Sequence, residues 1–283
     1  MATTRTPLRR IGRGMLTALA LAISLVFLLP VLWLLASTFR TSAETAASSS
    51  PLSWWVLWPR EFTLVNIQSA INSGFAGAIG NSLLVATVTV IVGLAISAMA
   101  AFALAVIPFR GRSAIFSIMV LSFLVPFEAI AIPLSRTFGD WGLQNTFTAL
   151  ILPGLGNGLA VFTLRQFFLG IPPSLSEAAH LDGAGWFRIF WSVYLPLTRP
   201  ALIGAGLILF LFQWQAYLWP ILVTHSPELD LAPVAISRSF GALTSDYGQV
   251  FAETTFLAII PAVVLLVLQR YFVASVALSG SKE

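Results

Sequence analysis

Residues 177–196 read EAAHLDGAGWFRIFWSVYLP, the longest polar-studded segment lying between two very apolar ones. It follows a double proline, Pro172-Pro173. Ser174-Leu-Ser-Glu177 fits the S-x-x-E capping box, in which the serine hydroxyl and the glutamate each satisfy a backbone N–H that a helix start leaves unpaired. Ala178 and Ala179 are good helix formers, and their small side chains let another surface approach closely. Gly183 stands where such a short helix stops, because glycine accepts the left-handed conformation of a helix end. The local physics predicts one short, capped, small-faced helix in a loop between apolar spans. Taken alone, these residues favour the plainer reading, a surface helix that only connects two spans.

The surroundings of this stretch are lipid-like. The chain has 283 residues, 58% hydrophobic and 9% charged. A soluble domain carries about 25% charged residues, so the deficit points to a protein that faces hydrocarbon. There is no cysteine, which excludes a disulfide framework and a thiolate metal site. His180 and His225 fall in different loops, which argues against a histidine-based metal site. The sequence pI near 10.1 would suit nucleic acid, but the arginines are scattered between apolar runs rather than gathered into a stripe, so no nucleic-acid partner is expected. The single lysine, Lys282, cannot complete a G-x-x-x-x-G-K-[ST] loop. If ATP drives this protein, the ATPase is another chain.

The apolar runs predict an all-α integral membrane protein with six transmembrane helices. Residues 1–14 form a basic tail with Arg5, Arg9, Arg10 and Arg13, and residues 15–39 form a first span. A basic start before an apolar run also imitates a cleavable signal peptide, but this run is longer than the usual apolar core of one. Residues 40–80 read as an extracytoplasmic loop; Trp54, Trp55 and Trp58 suit either an interfacial collar or ordinary loop packing. Further spans are expected at 81–107, 113–134, 146–164, 201–224 and 254–268, the last lengthening if Val250 and Phe251 join it. Pro126, Glu128 and Pro133 interrupt the third. A short loop is expected to hold Arg136, Asp140 and Trp141, and Arg165 to end the fourth span.

Orientation follows from the basic residues. With the N-terminus inside, Arg5, Arg9, Arg10, Arg13, Arg110, Arg112, Arg165, Arg188, Arg199, Arg270 and Lys282 are cytoplasmic, and Arg40, Arg60, Arg136 and Arg238 are outside, 11 against 4. Both termini and the 177–196 stretch are then cytoplasmic. No internal repeat of the kind that builds secondary carriers is visible.

Two polar features lie inside the spans. Glu128 reads as the one acid deep within an apolar run, either a pathway or proton-titrating residue, or a hydrogen-bonded glutamate beside the break at Pro126. In the fifth span Gln213 and Tyr217 are four residues apart and would share a helix face, with Trp214 beside it. Aromatic faces and amides suit a sugar, but they suit helix–helix hydrogen bonding and an aromatic belt equally.

The spacing of Glu177-Ala178-Ala179, Gly183, Val193 and Leu195-Pro196 resembles the EAA loop of ABC-importer permeases, with valine where the family usually has isoleucine. The wider run IPPSLSEAAHLDGAGWFRIFWSVYLPLTRPAL resembles the carbohydrate-importer branch and its MalG-type subunit. The resemblance extends to Pro126 with Ile132-Pro133-Leu134, to Leu152-Pro153-Gly154, to Phe162 with Arg165-Gln166-Phe167-Phe168, and to Gln269-Arg270-Tyr271-Phe272-Val273. It implies a type I importer permease fold with no catalytic or metal site, in which 81–270 is the core, 170–199 the cytoplasmic coupling loop and 271–283 a cytoplasmic tail. It implies that Glu177, Ala178, Ala179, Asp182 and Gly183 contact a cytoplasmic ATPase dimer, which binds the ATP and magnesium. It also implies a second homologous permease, an extracytoplasmic solute-binding protein facing the loop from His225 to Gly248, and a bacterial or archaeal plasma membrane. The family usually has Trp-Asn-x-Phe where this chain has Trp214-Gln215-Ala216-Tyr217, and often glycine where it has Ser275 and Ser279, which leaves substrate and tail contacts open. The competing reading is an ion- or proton-coupled carrier using Glu128.

Overall fold

Helix stops, more than helix propensity, organise this chain. The computed structural model describes residues 7–49, 51, 53–241 and 246–280, with only the backbone of 7–13, 241 and 270–280 described. The expectations on Arg5 and Lys282, and on the side chains of Arg9, Arg10, Arg13, Arg270, Ser275 and Ser279, lie outside the described residues. Every regular element among the described residues is helical. Among the described residues, four helices are long and apolar enough to cross a membrane: Gly14–Thr38, Phe75–Ala105, Phe147–Leu169 and Tyr247–Gln269. Two sharply bent pairs raise the number to six if each counts as one span.

The first helix, α1 (Pro7–Thr38), covers the expected first span with Pro30 inside it. The expected loop at 40–80 is instead largely helical. It holds α2 (Ser42–Ser49), a 3-10 turn at Trp54–Leu57 and α3 (Val65–Asn72). Gly74, at φ +83°, turns the chain after α3, and α4 (Phe75–Ala105) starts six residues before the expected position 81. Phe75, the first residue of α4, is buried.

The third run is two helices. α5 (Arg112–Phe123) and α6 (Phe127–Asp140) meet at 95°. Pro126 caps α6 with an extended ψ of 133°, and it donates no N–H that would continue α5. Because α6 runs on to Asp140, Arg136 and Asp140 sit in a helix and not in the expected short loop. The fourth run is α7 (Phe147–Ile151), a 3-10 turn at Leu152–Leu155 and α8 (Gly158–Leu169). Asn157 caps α8 by accepting from the Ala160 N–H at 2.9 Å. Arg165 does not end this helix; its guanidinium lies 3.9 Å from the Phe116 ring centre and its Nε–H donates to the Leu104 carbonyl.

The remaining helices are α9 (Pro173–Leu181), α10 (Trp186–Ile189), a π-turn at Phe190–Tyr194, α11 (Leu195–Leu197), α12 (Arg199–Trp214), α13 (Leu218–Val223), α14 (Ala232–Gly241) and α15 (Tyr247–Gly280). The last starts seven residues before the expected 254.

The chain divides into two units. The first comprises Met1–Phe75 with Arg238–Phe256. In it the end of α1 is tied to the start of α15: the Thr38 and Thr255 hydroxyls are 2.7 Å apart, and Trp33 meets Phe251 edge-on at 5.1 Å. The Asn66 amide donates to the carbonyls of Ser37, Thr38 and Arg40. Arg40 is buried and donates to Ser48 Oγ and the Trp55 carbonyl, with Glu44 3.7 Å away. Burial pushes its pKa down, and the Glu44 charge opposes that shift.

The second unit comprises Ala76–Ser237 with Leu257–Glu283. Its larger core joins Ala98, Ala101 and Phe102 of α4, Leu164 and Phe168 of α8, Ile189, Phe190 and Tyr194, and Ala201, Ala205 and Leu209 of α12. A smaller core gathers Val85, Phe138, Leu150, Trp219 and Val223. Trp219 Nε1–H donates to the Ala149 carbonyl at 2.8 Å, satisfying the one polar atom that this ring buries.

Candidate functional site

The expected capping box does not form. Helix α9 begins at Pro173, with Pro172 as its N-cap and no side-chain cap. Proline at the first helical position lacks an N–H that would have no partner there anyway, and its φ is already helical. Ser174 therefore falls inside the helix, two positions too late to cap it, while the Ser176 hydroxyl bonds back to the Pro173 carbonyl at 2.8 Å.

The other end is built as the sequence predicts. Gly183 has φ +78°. Its N–H donates to His180 at 2.9 Å, and the Ala184 N–H reaches back to Ala179 at 2.9 Å. That pair of crossed bonds is the Schellman motif, which satisfies carbonyls a helix end leaves open. His180 closes the turn from outside: its Nδ1 is 3.0 Å from the Ala184 carbonyl oxygen, and its ring stands edge-on to Trp186 at 4.2 Å.

This capped end gives α9 two faces. Ser176 is buried and Ala179 packs on the larger core. Glu177, Ala178, Asp182 and Gly183 are exposed. Leu181 is 91% exposed, the least covered leucine at this end of the unit, and it was not singled out from the sequence. Positions 174, 177, 178 and 181 share one helical face, so the outer face of α9 combines a carboxylate, small residues and one bare apolar side chain. The i, i+4 relation to Glu177 was the available signal for Leu181. A methyl built on Gly183 would meet no atom of the chain within 4 Å, so space for an incoming surface is open there.

The sites expected inside the spans are differently placed. Glu128 is exposed in the first turn of α6, where a carboxylate complements the helix dipole. The acid enclosed within an apolar helix is Glu253 of α15, 1% exposed, accepting from Ser73 Oγ at 3.2 Å and Gln249 Nε2 at 2.8 Å. Placing the sixth span one residue after Glu253 hid it. Gln213 and Tyr217 share no helical face, because α12 stops at Trp214 and Tyr217 has φ −126°. Pro220 explains the break: a continuous helix would need its missing N–H to bond Ala216, and its ring would strike that carbonyl. Trp214 is buried, stacked on Phe210 at 5.6 Å, with Nε1–H donating to the Leu257 carbonyl at 3.1 Å. Gln213 covers Gly154, and Tyr217 Oη lies 2.9 Å from Ser237 Oγ.

Beside the α13 end, Asn145 forms a clamp with no sequence signature. It holds φ +57° and its Oδ1 accepts from the N–H groups of both His225 and Ser226 at 3.0 Å. Its Nδ2 donates to Ser226 Oγ at 2.8 Å, and its own N–H donates to Val223 at 2.7 Å. Further along, Asn81 donates to the carbonyls of Glu228 and Asp230. The stretch from His225 to Asp230 is thus pinned at both ends by side chains from other elements.

Comparison with known proteins places this architecture. The profile of the family described as "Binding-protein-dependent transport system inner membrane component" matches residues 93–278. An arabinooligosaccharide transport system permease, AraQ of Halalkalibacterium halodurans, is 32% identical over 263 residues, covering 92% of this chain and 93% of the relative. The sn-glycerol-3-phosphate permease UgpE of Agrobacterium fabrum is 34% identical over 249 residues, covering 83% and 87%. Among solved structures, a chain of a bacterial ABC transporter that imports the acidic polysaccharide alginate superposes with a TM-score of 0.81 at 22% identity, covering 96% of this chain and all of that one. A chain of an alginate transporter bound to its oligosaccharide-loaded periplasmic protein gives 0.63 at 17% identity, covering 93% and 96%.

Proposed function

This chain belongs to the family of inner-membrane components of binding-protein-dependent transport systems, and we propose that it is the permease subunit of an ATP-driven importer that carries a carbohydrate into the cytoplasm. It is a multi-pass membrane protein. The observation that carries the reading is α9 itself, an exposed helix of nine residues ended by a complete Schellman turn at Gly183. A helix that transmits motion as a lever must be short, rigid at its end and bare on one face. The outer face with Glu177, Ala178 and Leu181, continued by Asp182 and Gly183, meets those needs.

In this reading each of the two bent pairs supplies one crossing, giving six, with both termini and α9 in the cytoplasm. A separate ATPase dimer binds ATP and magnesium and receives α9; this chain holds no cofactor. A second, homologous permease completes the pore, and a solute-binding protein meets the pinned His225–Asp230 stretch from outside. Two relatives are named for the transport of arabinooligosaccharides and of sn-glycerol-3-phosphate, which supports a polyhydroxylated solute.

The deciding experiment is affinity purification in mild detergent from the native membrane, followed by uptake in vesicles. A co-purifying second permease, ATPase and sugar-binding protein, with uptake that needs ATP and survives an uncoupler, is the expected result. A chain that comes out alone and still moves solute without ATP would overturn the reading and return attention to a proton-coupled carrier.

A further inference from the structure

The stretch after α9 does more than connect it to α12. Trp186–Leu197, made of α10, the π-turn and α11, meets α12 at 84°. A helical stretch nearly perpendicular to the apolar helix it feeds runs along a bilayer surface when that helix crosses the bilayer. One side of it is packed: Ile189, Phe190 and Tyr194 are buried, and the Phe190 and Tyr194 rings lie 5.2 and 5.1 Å from Phe102. The other side is bare. Phe187 and Trp191, four residues apart, are 73% and 64% exposed, and their rings stack at 6.5 Å. Arg188 beside them is exposed, and residues 186–199 contain two arginines and no acid.

Two large bare rings are unfavourable in water, whereas aromatic rings next to basic residues are the usual content of helices lying in a membrane interface. The charge selects among membrane surfaces: guanidinium groups without neighbouring acids complement anionic phospholipid headgroups. We propose that Trp186–Leu197 is an in-plane membrane anchor. Phe187 and Trp191 insert at the headgroup–acyl boundary, and Arg188, aided by Arg199, pairs with an anionic lipid phosphate. The leaflet is the cytoplasmic one, a point that rests on the topology proposed above. The Ala184-Gly185 link then ties the docking helix to the bilayer surface, so that the lipid is the pivot against which α9 moves.

The absence of native cysteine makes the test direct. Phe187→Cys and Trp191→Cys, each spin-labelled in the full transporter in nanodiscs, are probed for collision with oxygen, which concentrates in lipid, and with a water-soluble nickel chelate. Both labels should be open to oxygen and shielded from nickel. In discs containing phosphatidylglycerol both should sit deeper than in phosphatidylcholine alone, and in sealed proteoliposomes Arg188→Gln should weaken the dependence of uptake on that lipid by about fivefold. Labels open to nickel, or closed to both probes because protein covers them, overturn the proposal. A third label at Ala178→Cys, used for cross-linking to the ATPase, reports separately on the docking reading, so either idea fails on its own evidence.

Discussion

Replacing Gly183 separates two reasons why that position should tolerate little change. One is conformational: at φ +78° an ordinary L-residue is strained by about 1–2 kcal/mol, a shift of about 5–30-fold between the closed and open turn. The other is volume: if α9 seats in an ATPase groove, any side chain there intrudes. Within the chain the volume costs nothing, since a Cβ at Gly183 meets no atom within 4 Å. The two reasons rank substitutions differently. Asparagine tolerates the left-handed region, alanine less, and valine least because its branched Cβ crowds the backbone. If the Schellman turn is what matters, ATP-driven uptake should fall in the order glycine, asparagine, alanine, valine. Amide exchange at Gly183 and Ala184, whose N–H groups are held by His180 and Ala179, should speed up in the same order. An alanine variant more active than the asparagine variant, with both amides still protected, would refute the conformational argument and assign the position to close docking.

Asn145→Ala removes three side-chain hydrogen bonds at about 0.5–1.5 kcal/mol each and adds left-handed strain, so thermal unfolding of the detergent-solubilised chain should begin lower and proteolysis near Ser226 should accelerate; Asn145→Asp, which keeps the acceptor oxygen, should cost clearly less. Gly154→Ala places a methyl 2.7 Å from Gln213 Oε1 and from Thr89 Cγ2, an overlap worth about 1–3 kcal/mol, and adding Gln213→Ala should recover part of the lost melting temperature but not all of it. Trp214→Phe keeps the stacking on Phe210 but leaves the Leu257 carbonyl unpaired; it should lower the melting temperature and leave the KM for uptake unchanged, whereas a raised KM would restore Trp214 to the solute path.

The features legible in the sequence are those written in neighbouring residues. Apolar runs mark α1, α4 and α15, and Gly183 marks the end of α9, because span length and a left-handed turn are set within a few positions. What escaped is of two kinds. Proline was visible, but its consequence was not: a bend of 95° at Pro126 and a break ahead of Pro220 leave hydropathy untouched while cancelling the i, i+4 relation between Gln213 and Tyr217. The same ambiguity hid the failed capping box, since Pro173 and Ser174 compete to start one helix and only the earlier can. The second kind depends on partners far along the chain. Glu253 can be enclosed because Ser73 lies 180 positions away and supplies a donor, and Asn145 holds a strained backbone because residues 80 and 81 positions on supply its bonds. Both sit at places where an apolar pattern ends, and an acid or amide at such an edge has its role decided by whichever element folds against it. The coupling face is the exception that made the function readable: its duty is to remain uncovered, so no distant residue had to be known for it to be seen.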